Sequence, residues 1–335
     1  MTVLQTPMDI LTQFPVRKTR AQKAAFRQEV TAWAEKLGYC VTVEQGSFGS
    51  RNVVIGDPDH AGYVLSAHYD TCARMVVSNR IMPENSLMYG LYQIYAALVY
   101  TAVPMAVSIL LAIAALVSGA AIYPLEHSAE RLLLVLLVWV GSFAVLCGVS
   151  LALAYFGPAN SSNANDNTSG VVTLLEIMRT LPENQRSKVC FVLFDQEETG
   201  LWGARSYRKA HRDSLENQLV LSLNCVGDGD FIRIYPSAKL RRDKRKLTSL
   251  YKVCGYFGKK NVLVSEKGCG NFPSDHKLFP WAVCMMALRK GKTGLYLDKI
   301  HTAADVNLEE TNVNILRAAI TSFITCDAAQ YERKK

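Results

Sequence analysis

The residues that could do chemistry share a kind of place in this 335-residue chain. His68 and Asp70 directly follow a strand-like run over 63–67. Asp166 lies in the loop 163–170, ahead of a helical pattern. Glu197 and Glu198 follow a run that ends at Phe194, Asn224 and Asp228 follow one that ends at Leu223, and His301 follows Gly294-Leu295-Tyr296-Leu297. In open α/β sheets, sites form in the crevice outside the carboxyl ends of the strands. Histidine and carboxylate side chains gathered there have the ligand chemistry of zinc. Taken singly each is weak evidence, because an Asp after a strand is more often a turn or a helix cap. The Glu197-Glu198 pair stands out, since it follows a buried type of strand and precedes Gly200.

The elements that must position these residues read as follows. Phe26, Val30, Trp33 and Leu37 recur at spacings of three and four, which predicts an amphipathic helix over 18–37 with Gly38 at its C-terminal cap. Strands are expected over 40–43, 52–55, 63–67, 189–194, 219–223 and 283–288, and a helix over 169–180. Strands alternating with helices predict an α/β fold of three layers, a mostly parallel mixed sheet flanked by helices. The pattern breaks after Glu84. No charged residue occurs over 85–125, nor over 132–165, and 132–156 is almost wholly apolar. Each stretch exceeds the roughly 20 apolar residues that a membrane span needs. The turn between them is short and polar, so the two form a hairpin whose outer ends lie on one side. The alternative, a pair of core helices, conflicts with so long a run lacking any charged face.

Half of the residues are hydrophobic, and the slightly positive mean hydropathy is high for a soluble enzyme and suggests an embedded segment. The formal charge is +8, with its densest contribution over 239–246. That run reads as a solvated helix face, with anionic lipid headgroups as its alternative partner. No basic stripe interleaved with aromatics accompanies it, so nucleic acid is not an expected partner. The 9 cysteines include no CxxC pair and their number is odd, which argues against a disulfide framework and for a reducing compartment. Residues 1–13 lack the charged and apolar regions of a secretory leader.

Five stretches, in order, resemble the co-catalytic zinc aminopeptidases of peptidase family twenty-eight, a family that also includes glutaminyl-peptide cyclotransferases. They are Ala67-His68-Tyr69-Asp70-Thr71, Asn165-Asp166-Asn167-Thr168-Ser169-Gly170, Phe194-Asp195-Gln196-Glu197-Glu198-Thr199-Gly200-Leu201-Trp202-Gly203-Ala204, Ser274-Asp275-His276 and Ile300-His301-Thr302-Ala303-Ala304-Asp305. The resemblance spans nearly all of the chain outside the apolar hairpin. It implies one or two zinc ions and a peptide substrate. His68 would bind one zinc, with Asp70 orienting its ring. Asp166 would bridge two zincs, Glu198 and His301 would complete the second site, Glu197 would be the general base, and Asp275 would lie near the substrate pocket. One position departs from the family pattern. In Ser222-Leu223-Asn224-Cys225-Val226-Gly227, Asn224 stands where the family has an Asp ligand, which weakens the first metal site.

The domain organisation expected is therefore a catalytic domain in two parts, 1–86 and 158–335, interrupted by a transmembrane hairpin over 87–157. The expected activity is that of a membrane-anchored zinc aminopeptidase. Its alternatives are a single-zinc, glutaminyl-cyclase-like enzyme, which Ile300 in place of that group's Trp argues against, and a non-catalytic membrane protein that retains the fold. Arg74 and Arg80 on the domain side of the hairpin, against Arg131 alone at the turn, place the catalytic domain in the cytoplasm.

Overall fold

The computed structural model describes residues 4–122, 128–267 and 272–332. Its strands are β1 (Val41–Gln45), β2 (Arg51–Ile55), β3 (Tyr63–His68), β4 (Asn79–Ile81), β5 (Val189–Phe194), β6 (Leu219–Leu223), β7 (Phe231–Pro236), β8 (Gly255–Phe257), β9 (Lys260–Val264), β10 (Ala282–Gly291) and β11 (Gly294–Ile300). They join one mixed sheet in the order β1-β2-β5-β3-β6-β10-β7-β9-β8, with β11 pairing both β10 and β4. The central run β5-β3-β6-β10 is parallel. The flanking pairs β1-β2, β2-β5 and β10-β7 are antiparallel.

The helices are α1 (Ile10–Gln13), α2 (Arg20–Lys36), α3 (Ser86–Ile122), α4 (Ser128–Phe156), α5 (Ser169–Thr180), α6 (Trp202–Ala210), α7 (Arg212–Leu215), α8 (Ala238–Arg242), α9 (Lys244–Leu250) and α10 (Glu310–Glu332). Side chains alternate along β5, as the strand period of two requires. Phe191 and Leu193 join one core with Phe26 and Val30 of α2, Leu174 of α5 and Leu316 of α10. Val192 and Phe194 join another with Ala204 and Tyr207 of α6. A central strand covered on both faces must be apolar throughout, hence the unbroken run Val189–Phe194.

Local chemistry sets the helix ends. Thr19 caps α2 by accepting from Gln22 N, and the Gln22 side chain reaches back to complete a capping box. Beyond its end, Gly38 takes a φ of 85°, which glycine adopts without a Cβ penalty. The basic run forms two short helices rather than one face. Asp243 ends α8 and caps α9, accepting from Lys246 N at 3.0 Å. Lys239 and Lys246 lie over the Trp281 ring at 4.5 and 3.6 Å. Cys40, Cys72, Cys147, Cys190, Cys225, Cys254 and Cys326 are free, and Cys269 lies outside the described residues.

Helices α3 and α4 pack against each other and stand apart from both cores. At 37 and 29 residues they run about 55 and 43 Å, against a bilayer hydrocarbon core of about 30 Å. No residue of α4 is buried. Leu98, Leu110 and Leu137 are 64%, 65% and 63% exposed, so the core-helix alternative fails. Both helices are long and apolar enough to cross a membrane. Their domain-side ends are tied down. Tyr92 Oη donates to Ser78 O at 2.7 Å, Val76 N donates to Tyr100 Oη at 3.1 Å, and Lys18 Nζ donates to Tyr155 O at 2.9 Å.

Candidate active site

The carboxyl ends of β3, β5 and β6 open on one cleft. β3 delivers His68 as its last residue. Its Nδ1 faces the Asp70 backbone carbonyl at 3.2 Å, with an Asp70 carboxylate oxygen at 3.6 Å. A proton on Nδ1, donated to that carbonyl, leaves Nε2 free to face the cleft. The Asp70 carboxylate accepts instead from Glu197 N at 3.0 Å and Glu198 N at 3.2 Å. One side chain thus fastens the loop after β3 to the loop after β5.

Asp166 sits at the centre. Its Oδ1 is 3.2 Å from His68 Nε2, and its Oδ2 is 3.2 Å from His301 Nε2. Glu198 Oε2 approaches the same His301 nitrogen at 3.3 Å. The asparagines on either side of Asp166 explain its loop. Asn165 Oδ1 accepts from Gly227 N and Asp228 N, while Asn167 Oδ1 accepts from Gly170 N and Cys225 N. Gly170 is required by close approach, because a Cβ there would stand 2.5 Å from Leu223 O. The Asp166-Asn167 peptide is cis. Non-glycine residues with left-handed backbones cluster on these loops: Gln196, Leu201, Cys225, Lys299 and His301. Such conformations cost on the order of 1–3 kcal/mol each and concentrate at functional sites.

The electrostatics follow from burial of so many ionisable groups. Burial alone would raise the pKa of Asp166, but hydrogen bonds from His301 and His68 hold it well below the usual carboxylate range. Burial pushes Glu198 up to about 7, against the opposing pull of His301. Burial pushes Glu197 well above its ordinary value; His68 opposes this, and Asp275 and Glu198 add to it. Burial tends to neutralise His301, yet the Glu198 and Asp166 carboxylates hold its pKa up at about 9.

The remaining candidates are placed as follows. Asn224 lines the cleft, but its amide is engaged: Nδ2 donates to Ser274 Oγ at 3.2 Å, and Oδ1 accepts from Cys225 Sγ at 3.0 Å. Asp228 is paired with Arg289 and is no substitute for the missing carboxylate. Asp275 is buried near His68, and burial pushes its pKa to about 7. Three residues were not anticipated. Asp305 accepts from Asn165 N at 2.8 Å and Asp166 N at 3.0 Å, fixing the central carboxylate from 139 residues away. Cys72, just past the His68 motif, brings its thiol into a group with Glu198 and His301 whose ligand atoms lie within 4.8 Å of one another. Arg17 is fully buried and donates to Tyr69 O at 2.5 Å and Thr168 Oγ1 at 3.0 Å, bracing the two loops that carry His68 and Asp166. Asp305 stood inside a quoted motif; nothing in the sequence singled out Cys72 or Arg17.

An α/β sheet with histidines and carboxylates gathered at its strand ends has the architecture of a metal-dependent hydrolase. The chain matches the model of peptidase family M28 over residues 150–321, just over half its length, and belongs to that family. Its fold is similar to that of Porphyromonas gingivalis glutaminyl cyclase, with a TM-score of 0.55 and 14% identity over 96% of each chain. It is also similar to Macrostomum lignano glutaminyl cyclase, with a TM-score of 0.54 and 14% identity over 97% of this chain and 88% of the other. A Zn-dependent exopeptidase from Parabacteroides distasonis ATCC 8503 gives a TM-score of 0.51 and 14% identity over 95% of this chain and 96% of the other. At these identities the likeness is one of fold. No curated protein matches the chain.

The family makes the chain a hydrolase and implies zinc as its cofactor. The donors fit that ion. His68, Asp166 and Glu198 offer ligand atoms within 4.8 Å of one another. Buried Glu198 Oε1 has no hydrogen-bond partner among the described residues, which a cation would supply.

Proposed function

We propose that this protein is a membrane-anchored zinc aminopeptidase. The observation that carries the reading is the placement of Asp166, whose two carboxylate oxygens each face a different histidine at 3.2 Å. That is the disposition of a carboxylate shared between two metal positions. His68 would serve the first, Glu198 and His301 the second, with Cys72 close to the latter. Zinc bound there would supply the Lewis acid that polarises the scissile carbonyl and acidifies the attacking water.

The protein's own part is positioning and proton transfer. Glu197 lines the same cleft, and its raised pKa suits a group that takes a proton from water and passes it to the leaving amine. Asp70 orients His68 through its backbone carbonyl and holds the Glu197-Glu198 turn through its carboxylate. The catalytic domain is assembled from 1–86 and 158–335, and the 87–157 hairpin anchors it in the bilayer with the domain on the cytoplasmic side.

Asn224 favours a second reading, in which one zinc held by Asp166, Glu198 and His301 supports cyclisation of an N-terminal glutamine, as the glutaminyl cyclases sharing the fold suggest. A peptide library incubated with zinc-loaded protein separates the two. Loss of whole N-terminal residues, abolished by a chelator, supports the aminopeptidase. Loss of ammonia confined to N-terminal glutamine supports the cyclase. Neither change in any peptide would overturn both.

A further inference from the structure

The cleft does not end at the metal ligands. One continuous cavity of about 710 Å³ is bounded at one end by Asp166, Glu198 and His301 and at the other by the two apolar helices. On α3 it is lined by Gln93, Ala97 and Thr101, and on α4 by Cys147, Ser150 and Ala154. The spacings of three and four put each set on one helix face. Small side chains commonly let membrane helices pack closely. Here they border open space that communicates with the site.

Position and volume narrow the occupant. On α4 the lining begins at Cys147, within the domain-side portion of a 29-residue apolar helix, so it opens at the depth of the nearer leaflet. Tyr89, Tyr92, Tyr100 and Tyr155 ring this end, where tyrosines sit at headgroup level. A further transmembrane helix does not fit, because even ten helical residues fill about 1,200 Å³ at a diameter of 10 Å and a rise of 1.5 Å. A single hydrocarbon chain does, at about 30 Å³ for a group the size of a water molecule.

We propose that the substrate is a membrane amphiphile: an aminoacyl amide carrying one alkyl or acyl chain on its leaving-amine side, with that chain seated between α3 and α4. The proposal rests on the aminopeptidase reading, which puts the free amino acid at the metal and everything else on the leaving side. In the reaction, water oxygen bonds to the carbonyl carbon and the C–N bond breaks. The leaving nitrogen takes the proton relayed by Glu197, giving a free amino acid and a long-chain amine.

The test uses full-length, zinc-loaded protein in phosphatidylcholine nanodiscs with leucyl-ethylamide and leucyl-dodecylamide. Wild-type protein should prefer the dodecylamide by about tenfold or more in kcat/KM, the order of gain from confining a substrate near its site. Ala97→Trp and Ala154→Trp each fill the groove, and the dodecyl-to-ethyl ratio should fall towards one. A wild-type ratio near one, or a ratio that the tryptophans leave unchanged, overturns the proposal while ethylamide hydrolysis leaves the aminopeptidase reading standing. A second measurement needs no turnover. The reduced amide of leucine and dodecylamine lacks the carbonyl and cannot be hydrolysed. It should slow N-ethylmaleimide alkylation of Cys147, read by peptide mass spectrometry, and unchanged alkylation overturns the proposal even in an inactive preparation.

Discussion

Glu197 and Glu198 are adjacent in sequence, yet their environments divide their roles. Both backbone N–H groups donate to Asp70 and both residues line the cleft, but Glu198 faces His301 at 3.3 Å, whereas Glu197 lies outside the group of ligand atoms formed by His68, Asp166 and Glu198. Glu197→Gln should lower turnover by about 10²–10⁴-fold, the usual cost of losing one proton-transfer group, while zinc content stays unchanged. Metal analysis beside a turnover assay checks this; near-normal turnover would remove Glu197 from the base role. Asn224 presents the opposite case, a neutral amide at the position where the resemblance implies a carboxylate. Asn224→Asp should tighten binding at the weaker metal position, because an anionic oxygen is the better zinc ligand. Calorimetric zinc titration of both forms decides it, and identical stoichiometry and affinity would place residue 224 outside the ligand set. His68, Asp166, Glu198 and His301 were legible because each follows a strand or opens a helix within a motif. Arg17 and Cys72 were not, since a buried arginine and a free thiol acquire meaning only from partners brought together by the fold.

Elements were read most faithfully where burial is complete. β5, β6 and α5 have the bounds expected from sequence, because two-sided burial leaves an unbroken apolar run and α5 is buried over most of its length. β7 and β9 were not anticipated. β7 carries Arg233 within its run, and half-buried positions interrupt both patterns. α10 was also missed, although it lays Leu316, Ile320 and Phe323 on the main core. His211, after α6, joins strand β1 to the loop after β2, with Nε2 2.9 Å from Glu44 and Nδ1 2.9 Å from Asp59. The Glu44 hydrogen bond is the largest cause of its raised pKa, with burial opposing and Asp59 assisting. A histidine whose folded pKa is raised contributes stability that is fully present below its unfolded pKa of about 6.5 and lost as pH rises through the folded value. The Tm difference between wild type and His211→Gln should therefore be largest near about pH 6 and shrink as pH rises. A difference that grows with pH would contradict the ion-pair assignment.

At the scale of the whole molecule, the two apolar helices lie between two loops that carry candidate ligands, so on the proposed reading the candidate cleft and the membrane surface would be neighbours. His68 precedes α3, and Asp166 follows the end of α4 by ten residues. The proposed orientation rests on Arg74 and Arg80 at the domain side, set against Arg131 in the first turn of α4. In a cysteine-free background, Ser128→Cys should react with a membrane-impermeant thiol reagent on intact cells, and Tyr256→Cys, at a position 78% exposed on the domain, should not. Labelling of the domain position alone would reverse the topology. The central claim, that this cleft hydrolyses amides with zinc, is tested most directly by following hydrolysis through metal removal and return. Protein in nanodiscs, stripped with a chelator and dialysed, should lose the release of N-terminal residues from peptides and regain it on adding back one to two equivalents of zinc. Release that persists in fully stripped protein, or that zinc-loaded protein never shows, would contradict it.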